Sequence, residues 1–352
     1  MLSSADSSGT LILMKPLSFL FSLIASALVL QAQQWVTYNP PAGKANGKSV
    51  VLISGDEEYR SEEGLPQLGK ILSQRHGFKC TVLFSLNPAT GEIDPNLHTN
   101  QPGLEALDSA DLCILLLRFR EWPDDQMKHF VDYYLAGKPI IALRTSTHAF
   151  SYDGKSTSAY KKFSWSGGDW KGGFGRQVLG ETWVSHWGNH KKEATRGLIQ
   201  ADAKKLAIFR GVEDIFGTTD VYEAHPPADA KVLVLGQVLK GMNPTDAPAD
   251  YRKKTASGQD QGVNDPMQAV VWMREYKNEA GKTNRILTTT MGAATDLESE
   301  GLRRMIVNTA LTFTGRKVPA RADVSYVGEF KPTFYGFNGF IKGVKPADHA
   351  MK

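Results

Sequence analysis

The chain has 352 residues, 41% of them hydrophobic and 22% charged, which is the composition of an ordinary globular protein. Its length is enough to bury a full hydrophobic core. The 41 basic and 37 acidic residues are mixed along the chain and give a formal net charge of only +4. So mild a balance excludes the electrostatic footprint of a nucleic-acid-binding protein, and we expect no nucleic-acid partner.

The N-terminal segment has the pattern of a secretory signal peptide. A lysine follows Met14, residues 17–30 are apolar, and residues 30–32 (LQA) fit a cleavage site. We therefore predict a signal peptide over residues 14–32, with Met14 as an alternative start and residues 1–13 as an extension upstream of it. The apolar run is too short for a comfortable membrane span. We expect a periplasmic or extracellular protein without stable membrane insertion after cleavage, the alternative being an uncleaved membrane anchor.

Strands alternate with helices in the first half of the mature chain, after an extended leader at residues 33–47. Continuous apolar runs typical of buried strands occupy residues 49–55, 78–84, 111–117 and 138–144. Helical patterns occupy residues 61–77, opened by Ser61 as cap and closed by Gly77, and residues 123–137. This alternation predicts a parallel sheet with helices on both faces. Strands that are apolar throughout agree with burial on both sides of the sheet.

The second half is more irregular. A long loop rich in glycine and tryptophan, with one short helix, occupies residues 164–190, and a polar surface loop occupies residues 240–265. Strand-like runs lie at residues 219–224 and 230–239. A hairpin is predicted from residues 267–276 and 284–292, and residues 295–315 form a helix that a glycine ends.

These patterns predict an α/β fold, with a doubly wound and mostly parallel sheet, an antiparallel hairpin and long loops in the second half. We expect one domain over residues 45–315. Residues 316–352 are predicted to form a C-terminal arm packed on that domain.

Polar side chains follow several of the predicted strands. They are Asp56, Glu57, Glu58 and Arg60 after the first strand, Arg118 and Arg120 after the third, Arg144, Thr145 and His148 after the fourth, and Gly292 after the hairpin. In open parallel sheets, ligands bind outside the carboxyl ends of the strands. Four separate loops therefore bring charged or hydrogen-bonding groups to one edge, which we take as the candidate ligand site.

Several reaction classes lack their sequence signatures. No G-x-G-x-x-G follows the first strand and no G-x-x-x-x-G-K-[ST] loop occurs, so no nucleotide cofactor is expected. Thr145 and Ser146 occupy the turn where related folds place a cysteine nucleophile, which excludes thiol-dependent amide hydrolysis. Ser146 and His148 lie two residues apart on one turn, a poor geometry for a base that must reach its nucleophile. We expect no cofactor, with a divalent metal as the open alternative.

The chain resembles the ThuA-like family, which is named after a trehalose-utilisation protein. The segments that carry the resemblance, in the family's order, are VVLISGDEEYR (50–60), KPIIALRTSTHAF (138–150), GFGRQVLGETWVSHWGNH (173–190), TDVYEA (219–224) and ILTTTMGAATDLESEGLRRMIVNTAL (286–311). The resemblance covers roughly residues 48–315. It implies a flavodoxin-like sheet in a class I glutamine amidotransferase-like fold without the amidotransferase cysteine, and a link to the catabolism of disaccharides or oligosaccharides. Where many relatives read GLHxAxD, this chain has Arg144 at the histidine position and His148 at the aspartate position.

The stretch GETWVSHWGNH, residues 180–190, carries two histidines four residues apart. On a helix, His186 and His190 would share one face and could bind zinc, although the glycine between them argues against a regular helix. The candidate third ligands are Glu181, His148, Asp220, Glu223 and His225. Alternatively, a histidine acts as general acid or base, tuned by a carboxylate such as Glu181 or Asp220. A histidine that caps a helix or fills the core is the third interpretation.

We therefore predict a secreted carbohydrate-active protein of ThuA-like type that performs non-redox acid–base chemistry, an isomerisation, hydrolysis or elimination, on a keto-sugar or glycoside. His186 and His148 are the candidate acid–base groups, with Glu181 or Asp220 as partner. The predicted substrate-binding residues are Asp56, Glu57, Glu58, Arg60, Arg118, Arg120, Arg144, Thr145, Trp183, Trp187, Tyr222 and Gly292, the two tryptophans as a stacking platform for a sugar ring. The alternatives are a non-catalytic sugar-binding protein and a metal-dependent hydrolase with His186 and His190 as ligands. The expected ligand is a sugar or oligosaccharide, and the oligomeric state stays open.

Overall fold

The computed structural model describes Met1, Leu2, residues 33–168 and residues 170–351. The predicted signal peptide, residues 14–32, lies outside the described residues. None of the helices in the described ranges combines the length and the apolar character that crossing a membrane requires. Gln33–Lys352 forms one compact unit.

The elements of this unit have the following bounds. The strands are β1 (Trp35–Tyr38), β2 (Ser49–Gly55), β3 (Lys79–Phe84), β4 (Leu112–Leu117), β5 (Ile140–Leu143), β6 (Ser185–His186), β7 (Thr195–Ile199), β8 (Ile215–Gly217), β9 (Tyr222–Glu223), β10 (Ala230–Val238), β11 (Arg252–Lys254), β12 (Asp260–Gly262), β13 (Gln268–Lys277) and β14 (Thr283–Thr289). The α-helices are α1 (Ser61–His76), α2 (Asp124–Leu135) and α3 (Glu300–Phe313). Short 3₁₀ turns lie at Leu104–Ser109, Arg144–His148, Lys161–Phe163, Ala207–Phe209, Asp296–Glu298 and Pro346–His349, and a π-helical turn at Gly175–Leu179.

Ten of these strands form one mixed sheet in the order β1-β3-β2-β4-β5-β14-β13-β10-β7-β8. The neighbours from β3 to β14 run parallel. The other pairings in the sheet are antiparallel. The predicted α/β class is confirmed, as is the hairpin, which is β13 and β14. The expectation of a mostly parallel sheet is wrong, because antiparallel pairings outnumber parallel ones among the described strands.

Three of the unexpected antiparallel pairings come from short strands, and the fourth joins β10 to β13. The predicted leader contains β1, which pairs with β3 as an edge strand. At the other edge, β7 and β8 pair with each other, and β7 pairs with β10. The sequence of β7 is TRGLI, so an arginine and a glycine interrupt the apolar run that would have marked it as a strand.

The parallel strands are covered on both faces, as their apolar sequences predict. In β2, Leu52 belongs to the same buried cluster as Leu68 of α1 and Met305 of α3. The next residue, Ile53, belongs to the other cluster, with Phe130 of α2. Successive residues of a strand point to opposite faces of the sheet, so this division places α1 and α3 on one face and α2 on the other.

The ends of α1 differ from expectation at one terminus. Ser61 is the first helical residue, and Arg60, with a left-handed φ of 56°, occupies the capping position without a side-chain cap. The Ser61 hydroxyl instead lies 2.8 Å from that of Ser54 in β2. At the other end Gly77 closes the helix as predicted, with φ 77°. A Cβ there would lie 2.1 Å from the carbonyl oxygen of Lys44, so only glycine fits.

Residues 316–351, the C-terminal part of this unit, reach the loop that follows β2. Thr333 donates its backbone N–H and its hydroxyl to the two carboxylate oxygens of Glu63 in α1, each at 2.6 Å. The backbone N–H of Gly336 donates to the carbonyl of Glu58 at 2.8 Å. These contacts place arm residues beside the candidate site.

Candidate functional site

The loops that follow β2, β4, β5 and β14 meet at one edge of the sheet. Thr145, after β5, donates its hydroxyl to the carboxylate of Asp56, after β2. The guanidinium of Arg144 donates to the carbonyl of Thr290, after β14, at 2.7 Å. The backbone N–H of Arg118, after β4, donates to the carbonyl that ends β2 at 2.8 Å. Parallel strands present their carboxyl ends at the same edge, which is why the four loops converge.

Much of the charge at this edge is paired within the protein. The carboxylate of Glu57 accepts from Arg118 and, at 2.8 Å, from Arg120. Arg120 is fully buried and also donates to the backbone carbonyls of Pro95 and Leu97, at 3.0 and 3.2 Å. We predicted that Glu57 and Arg120 contact the substrate. In the structure they bind each other and so connect the loops after β2 and β4.

Asp56 is likewise surrounded by protein donors. Besides the Thr145 hydroxyl, its carboxylate accepts from the backbone N–H groups of Glu58, at 2.8 Å, and Tyr59. Burial, and then the charge of Glu57, raise the pKa of Asp56 to about 6. A side chain with no exposed surface cannot contact a substrate, so Asp56 orders the loop instead.

Arg60 and Gly292, two further predicted binding residues, also have structural contacts. The buried guanidinium of Arg60 donates to the carbonyl of Gly336 in the C-terminal arm. The backbone N–H of Gly292 donates to the carboxylate of Asp296 at 2.8 Å. With φ at 130°, a Cβ on Gly292 would lie 2.8 Å from that of Leu143. Glycine is needed there for close packing of the loop after β14 against β5.

A second group of charges surrounds Asp220, whose side chain has no exposed surface. One carboxylate oxygen, Oδ2, lies 2.8 Å from Nδ1 of His186. The other, Oδ1, lies 3.0 Å from Nδ1 of His190 and 2.9 Å from Nη2 of Arg144. The second ring nitrogen of His190, Nε2, lies 3.0 Å from a carboxylate oxygen of Glu58. Five side chains are thus joined in one network with Asp220 as the shared acceptor.

The two histidines do not lie on a helix. His186 is in β6, where it pairs with Tyr222 of β9. The backbone N–H groups of Trp187 and Gly188 then both donate to the carbonyl that precedes Tyr222, at 2.8 and 3.0 Å. A Cβ on Gly188 would lie 3.3 Å from that of Asp220, so the glycine permits a close approach. The histidines converge because the chain turns after β6, and the zinc-helix interpretation is wrong in this respect.

His190 carries a positive charge at neutral pH. Both of its ring nitrogens face carboxylate oxygens, which only accept hydrogen bonds, so both nitrogens must be donors. Burial opposes this charge, but the hydrogen bonds to Asp220 and Glu58 outweigh it and raise the pKa of His190 to about 9. Burial also opposes ionisation of Asp220, yet the charge of Arg144 and the bonded histidines hold the pKa of that carboxyl well below its usual value. The two carboxylates are therefore balanced by two cations.

His186 differs from His190 because one of its nitrogens is free. Asp220 accepts from Nδ1–H, which fixes the tautomer that carries the lone pair on Nε2. Within residues 33–168 and 170–351, no hydrogen-bond partner faces Nε2. The side chain is 37% exposed, the largest exposure among the members of the Asp220 network. A substrate can therefore reach an imidazole nitrogen that is already oriented by a carboxylate.

His148, the other predicted acid–base histidine, is buried. Its Nδ1 lies 3.1 Å from the hydroxyl of Thr147. Burial, followed by the charges of Arg118 and Arg144, lowers the pKa of His148 well below its usual value. The ring therefore stays neutral at neutral pH. It packs near Trp183, with the two ring centroids 6.0 Å apart.

Glu181 is not the carboxylate partner of His186. Its Oε1 accepts from Arg176 at 2.8 Å and from the backbone N–H of the next residue at 2.9 Å. Its Oε2 accepts from the backbone N–H of His225 at 2.9 Å. Of the two carboxylates that the sequence left open, the structure selects Asp220.

Arg144 stabilises the network around Asp220 from the buried side. It follows β5 with φ 40°, in the left-handed region that costs energy for any residue with a side chain. Its guanidinium is fully buried, lies 3.6 Å from the ring centroid of Tyr222 and 4.7 Å from that of Tyr59, and donates to the backbone carbonyl of Asp220 at 2.6 Å. Arg144 thus fixes both the carboxylate and the backbone of Asp220, which makes it a positioning residue.

The two tryptophans beside His186 have different environments. Trp187 has no exposed surface, belongs to the larger core cluster, and donates Nε1–H to the carbonyl of Val263 at 2.7 Å. Trp183 is half-buried, with its ring centroid 5.8 Å from that of His186. Only Trp183 can therefore serve as the predicted sugar platform.

Other aromatic side chains extend this surface and were not predicted. Trp165 lies 6.4 Å from Trp183 and Phe119 lies 5.5 Å from Trp165, measured between ring centroids. We call Trp183, Trp165 and Phe119, all half-buried, the aromatic rim. On the other side, Tyr335 of the arm lies 5.6 Å from His190. The glycine-spaced aromatic residues of SWSGGDW and FYGFNGF were the sequence signals that could have found Trp165 and Tyr335.

A divalent metal is the alternative use of the same side chains. His186, His190 and Asp220 each offer a ligand atom, and these atoms lie within 4.8 Å of one another. The residue types suit zinc or a similar ion. However, Arg144 places a positive charge 2.9 Å from Asp220, and both nitrogens of His190 are engaged. A metal would have to displace these hydrogen bonds, so the contacts as they stand favour proton transfer.

Comparison with known proteins gives likenesses in fold only. No protein-family model and no curated protein matches the chain. Fourteen solved chains match. One, described as a ThuA-like protein of Parabacteroides merdae ATCC 43184, is 16% identical with a TM-score of 0.46, and the match covers 77% of this chain and 93% of that one. Another, described as a ThuA-like protein of Bacteroides uniformis ATCC 8492, is 13% identical with a TM-score of 0.45, over 78% and 93%.

A third match is of another kind. The mmIFT52 N-terminal domain is 12% identical with a TM-score of 0.38, over 76% of this chain and 97% of that one. Identities and TM-scores this low carry no argument about activity, which rests on the side chains of the site itself.

Proposed function

We propose that the chain is a secreted carbohydrate-active enzyme of ThuA-like type in which His186 transfers a proton to or from a keto-sugar or glycoside. One observation carries the proposal. Asp220 engages Nδ1 of His186, and Nε2 has no partner among the described residues on a ring that is partly exposed. A carboxylate behind one imidazole nitrogen orients the ring and fixes its tautomer, so the other nitrogen can accept a proton from a substrate.

The chemistry that suits this group is proton transfer without redox change. In a keto-sugar, the hydrogen on the carbon beside the carbonyl is acidic, and Nε2 of His186 would remove it. The ring of His190, 4.5 Å away between centroids, would act on the negative charge that forms on the carbonyl oxygen only through its positive charge, because both of its N–H groups bind carboxylates. In a glycoside, the protonated ring of His186 would instead give its proton to the leaving oxygen. Return of the proton to the former carbonyl carbon gives isomerisation, and departure of the group on the next carbon gives elimination. In the glycoside, a water molecule that attacks the anomeric carbon completes hydrolysis.

The surroundings of His186 support a sugar as the substrate. The aromatic rim begins 5.8 Å from the His186 ring at Trp183 and offers apolar faces to the C–H side of a pyranose. Arg118 is half-buried at the far end of the rim and offers donors to hydroxyl groups. An apolar face combined with a few directed polar groups is the usual composition of a small-molecule site.

The proposal also includes the location of the protein and the arrangement of its sheet. The predicted signal peptide at residues 14–32 supports secretion to the periplasm or the cell exterior. The strand order β3-β2-β4-β5-β14, parallel throughout, supports a flavodoxin-like arrangement for that part of the sheet.

The test is a turnover screen of keto-disaccharides and unoxidised disaccharides with the mature protein and with His186→Ala. We expect turnover of at least one sugar by the wild type. We expect His186→Ala to lower kcat by about 10²–10⁴-fold while ligand binding is retained, because a general base contributes about that much. The matched control is His129→Gln, which changes a histidine on α2 that is paired with Asp108, and it should leave turnover unchanged.

Two outcomes would contradict the proposal. If the wild type binds sugars but turns over none of them, the chain is a non-catalytic sugar-binding protein. If His186→Ala turns over substrate at the wild-type rate, another group transfers the proton.

A metal-dependent hydrolase is the second candidate, favoured by the three ligand atoms within 4.8 Å of one another. In that case His186, His190 and Asp220 would hold the ion, which would polarise the substrate or activate water. Metal analysis of freshly purified protein separates the two candidates. A stoichiometric ion that is lost in both His186→Ala and His190→Ala would favour the hydrolase.

A further inference from the structure

The geometry points to a second sugar subsite at the far end of the aromatic rim, built from Arg118, Phe119, Phe337 and Asn338, so that the substrate is a disaccharide or a longer glycan. The inference rests on the proposed function, because it extends the same site. It assigns the C-terminal arm a part in substrate recognition.

The centre of this subsite is the guanidinium of Arg118. Its central carbon lies 4.3 Å from the ring centroid of Phe119 and 5.0 Å from that of Phe337. Nη1 donates to the carboxylate of Glu57, which fixes the plane of the group. Nε and Nη2 donate to no residue in the part of the chain that the structure describes. Two aromatic rings and free planar donors are therefore gathered at one partly exposed place, which suits a sugar ring with its apolar face and its hydroxyls.

Neutral amides lie next to Phe337 in the arm. Asn338 follows Phe337 and is exposed, and its side-chain oxygen accepts from Nδ2 of Asn96 at 3.3 Å. His98, 37% exposed, lies 3.8 Å from the Glu57 carboxylate. Amide and imidazole groups both donate and accept, which matches the mixed hydrogen bonding of sugar hydroxyls. The same combination would be a poor surface for a fully apolar partner.

The arm is held in place where it contributes Phe337. The Tyr335 hydroxyl donates to the carbonyl of Thr218 at 3.0 Å, and its ring lies 5.1 Å from that of Tyr59. Arg60 donates to the carbonyl of Gly336. Phe337 itself is 53% exposed. A large apolar side chain is thus presented to solvent by a fixed backbone, with the Arg118 guanidinium over its ring.

The subsite is continuous with the catalytic group. From Phe119, ring contacts run through Trp165 at 5.5 Å and Trp183 at 6.4 Å to His186 at 5.8 Å. A glycan bound along the rim would therefore place one sugar ring at His186 and another toward Arg118. A single sugar ring at His186 would leave Arg118 and Phe337 without contact.

The test compares binding of disaccharides and of glucose to the full mature chain by calorimetry, with trehalose, maltose and cellobiose as the disaccharide probes. We expect the wild type to bind at least one disaccharide several-fold more tightly than glucose. Phe337→Ala should reduce that ratio by roughly 2- to 10-fold, the contribution of one aromatic stacking contact. Asn338→Gly keeps the left-handed backbone of Asn338, φ 58°, while removing its amide, and should reduce the ratio by a smaller factor.

Ile341→Ala is the matched control, because Ile341 is an equally exposed apolar residue of the same arm, at 56%. It should leave the ratio unchanged. The subsite is overturned if glucose binds as tightly as every disaccharide, or if Phe337→Ala weakens glucose and disaccharides equally.

These outcomes are separate from those of the proposed function. A disaccharide preference that depends on Phe337 without turnover would support the subsite and overturn the enzyme. Turnover without such a preference would do the reverse, and no sugar binding at all would overturn both.

Discussion

Two regions bring charged side chains to one edge of the sheet: the loops after β2 and β4, and the segment at residues 183–190. They differ in how completely these side chains are paired within the protein. In the loops, the carboxylates of Asp56 and Glu57 and the guanidinium of Arg120 are buried and surrounded by protein partners. In the segment, the network around Asp220 ends at His186, whose Nε2 has no described partner.

This difference shows how a set of polar residues is divided between folding and chemistry. A buried charge must be paired, because desolvation would otherwise cost several kcal/mol. Groups whose polar atoms are all paired in this way have none left for a ligand. The candidate reactive group is therefore the one that the pairing orients and leaves partly exposed, which here is His186 rather than the more numerous charges of the strand-end loops.

Among the variants considered, Arg144→Met is expected to have the largest effect on stability. The substitution leaves Asp220 buried without its fixed cation, so the free energy of unfolding should fall by about 3–5 kcal/mol. Chemical denaturation measures this change. Arg252→Met is the matched control, since Arg252 forms an exposed pair with Asp260 at 2.9 Å, and it should change stability little. Equal effects of the two substitutions would mean that the Asp220 network does not depend on Arg144.

The two tryptophans next to His186 sharpen the same comparison. Trp187→Ala removes a fully buried side chain and should lower the free energy of unfolding by about 3–5 kcal/mol. Trp183→Ala should change stability much less but weaken sugar binding by roughly 2- to 10-fold, because its half-buried ring faces His186. Denaturation and calorimetry on both variants measure the two effects. A stable Trp187→Ala with weakened binding would reverse the assignment.

The parallel part of the fold could be predicted because its sequence signals are local. Each of β2, β4 and β5 is a continuous apolar run, and Gly77 marks the end of α1. Strands β7 and β8 were missed because they are short and because an arginine and a glycine interrupt β7. Pairing with a neighbouring strand makes these segments strands, and such pairing leaves little trace in a short stretch of sequence.

The sequence predicted at which edge of the sheet the site lies. It did not predict which of the polar side chains there are paired within the protein and which are free. The strand-end rule brings Arg144 and Asp56 to one place. Whether a charge is free or paired depends on residues far along the chain, since Arg144 and Asp220 are 76 residues apart and Asp56 and Thr145 are 89 apart. The exposure that separates Trp183 from Trp187 has the same origin, because it is set by how the segment packs after β6.

The most direct measurement of the central claim is ¹⁵N NMR of the histidine side chains in the metal-free mature protein at pH 8. With its pKa raised to about 9 from 6.5, His190 should carry both ring protons. Stability from its two carboxylate bonds should be full below pH 6.5 and be lost as the pH rises through about 9. His186 should carry a proton on Nδ1, where it is hydrogen-bonded to Asp220. A His190 that is neutral at pH 8, or a His186 protonated on Nε2 alone, would contradict the account.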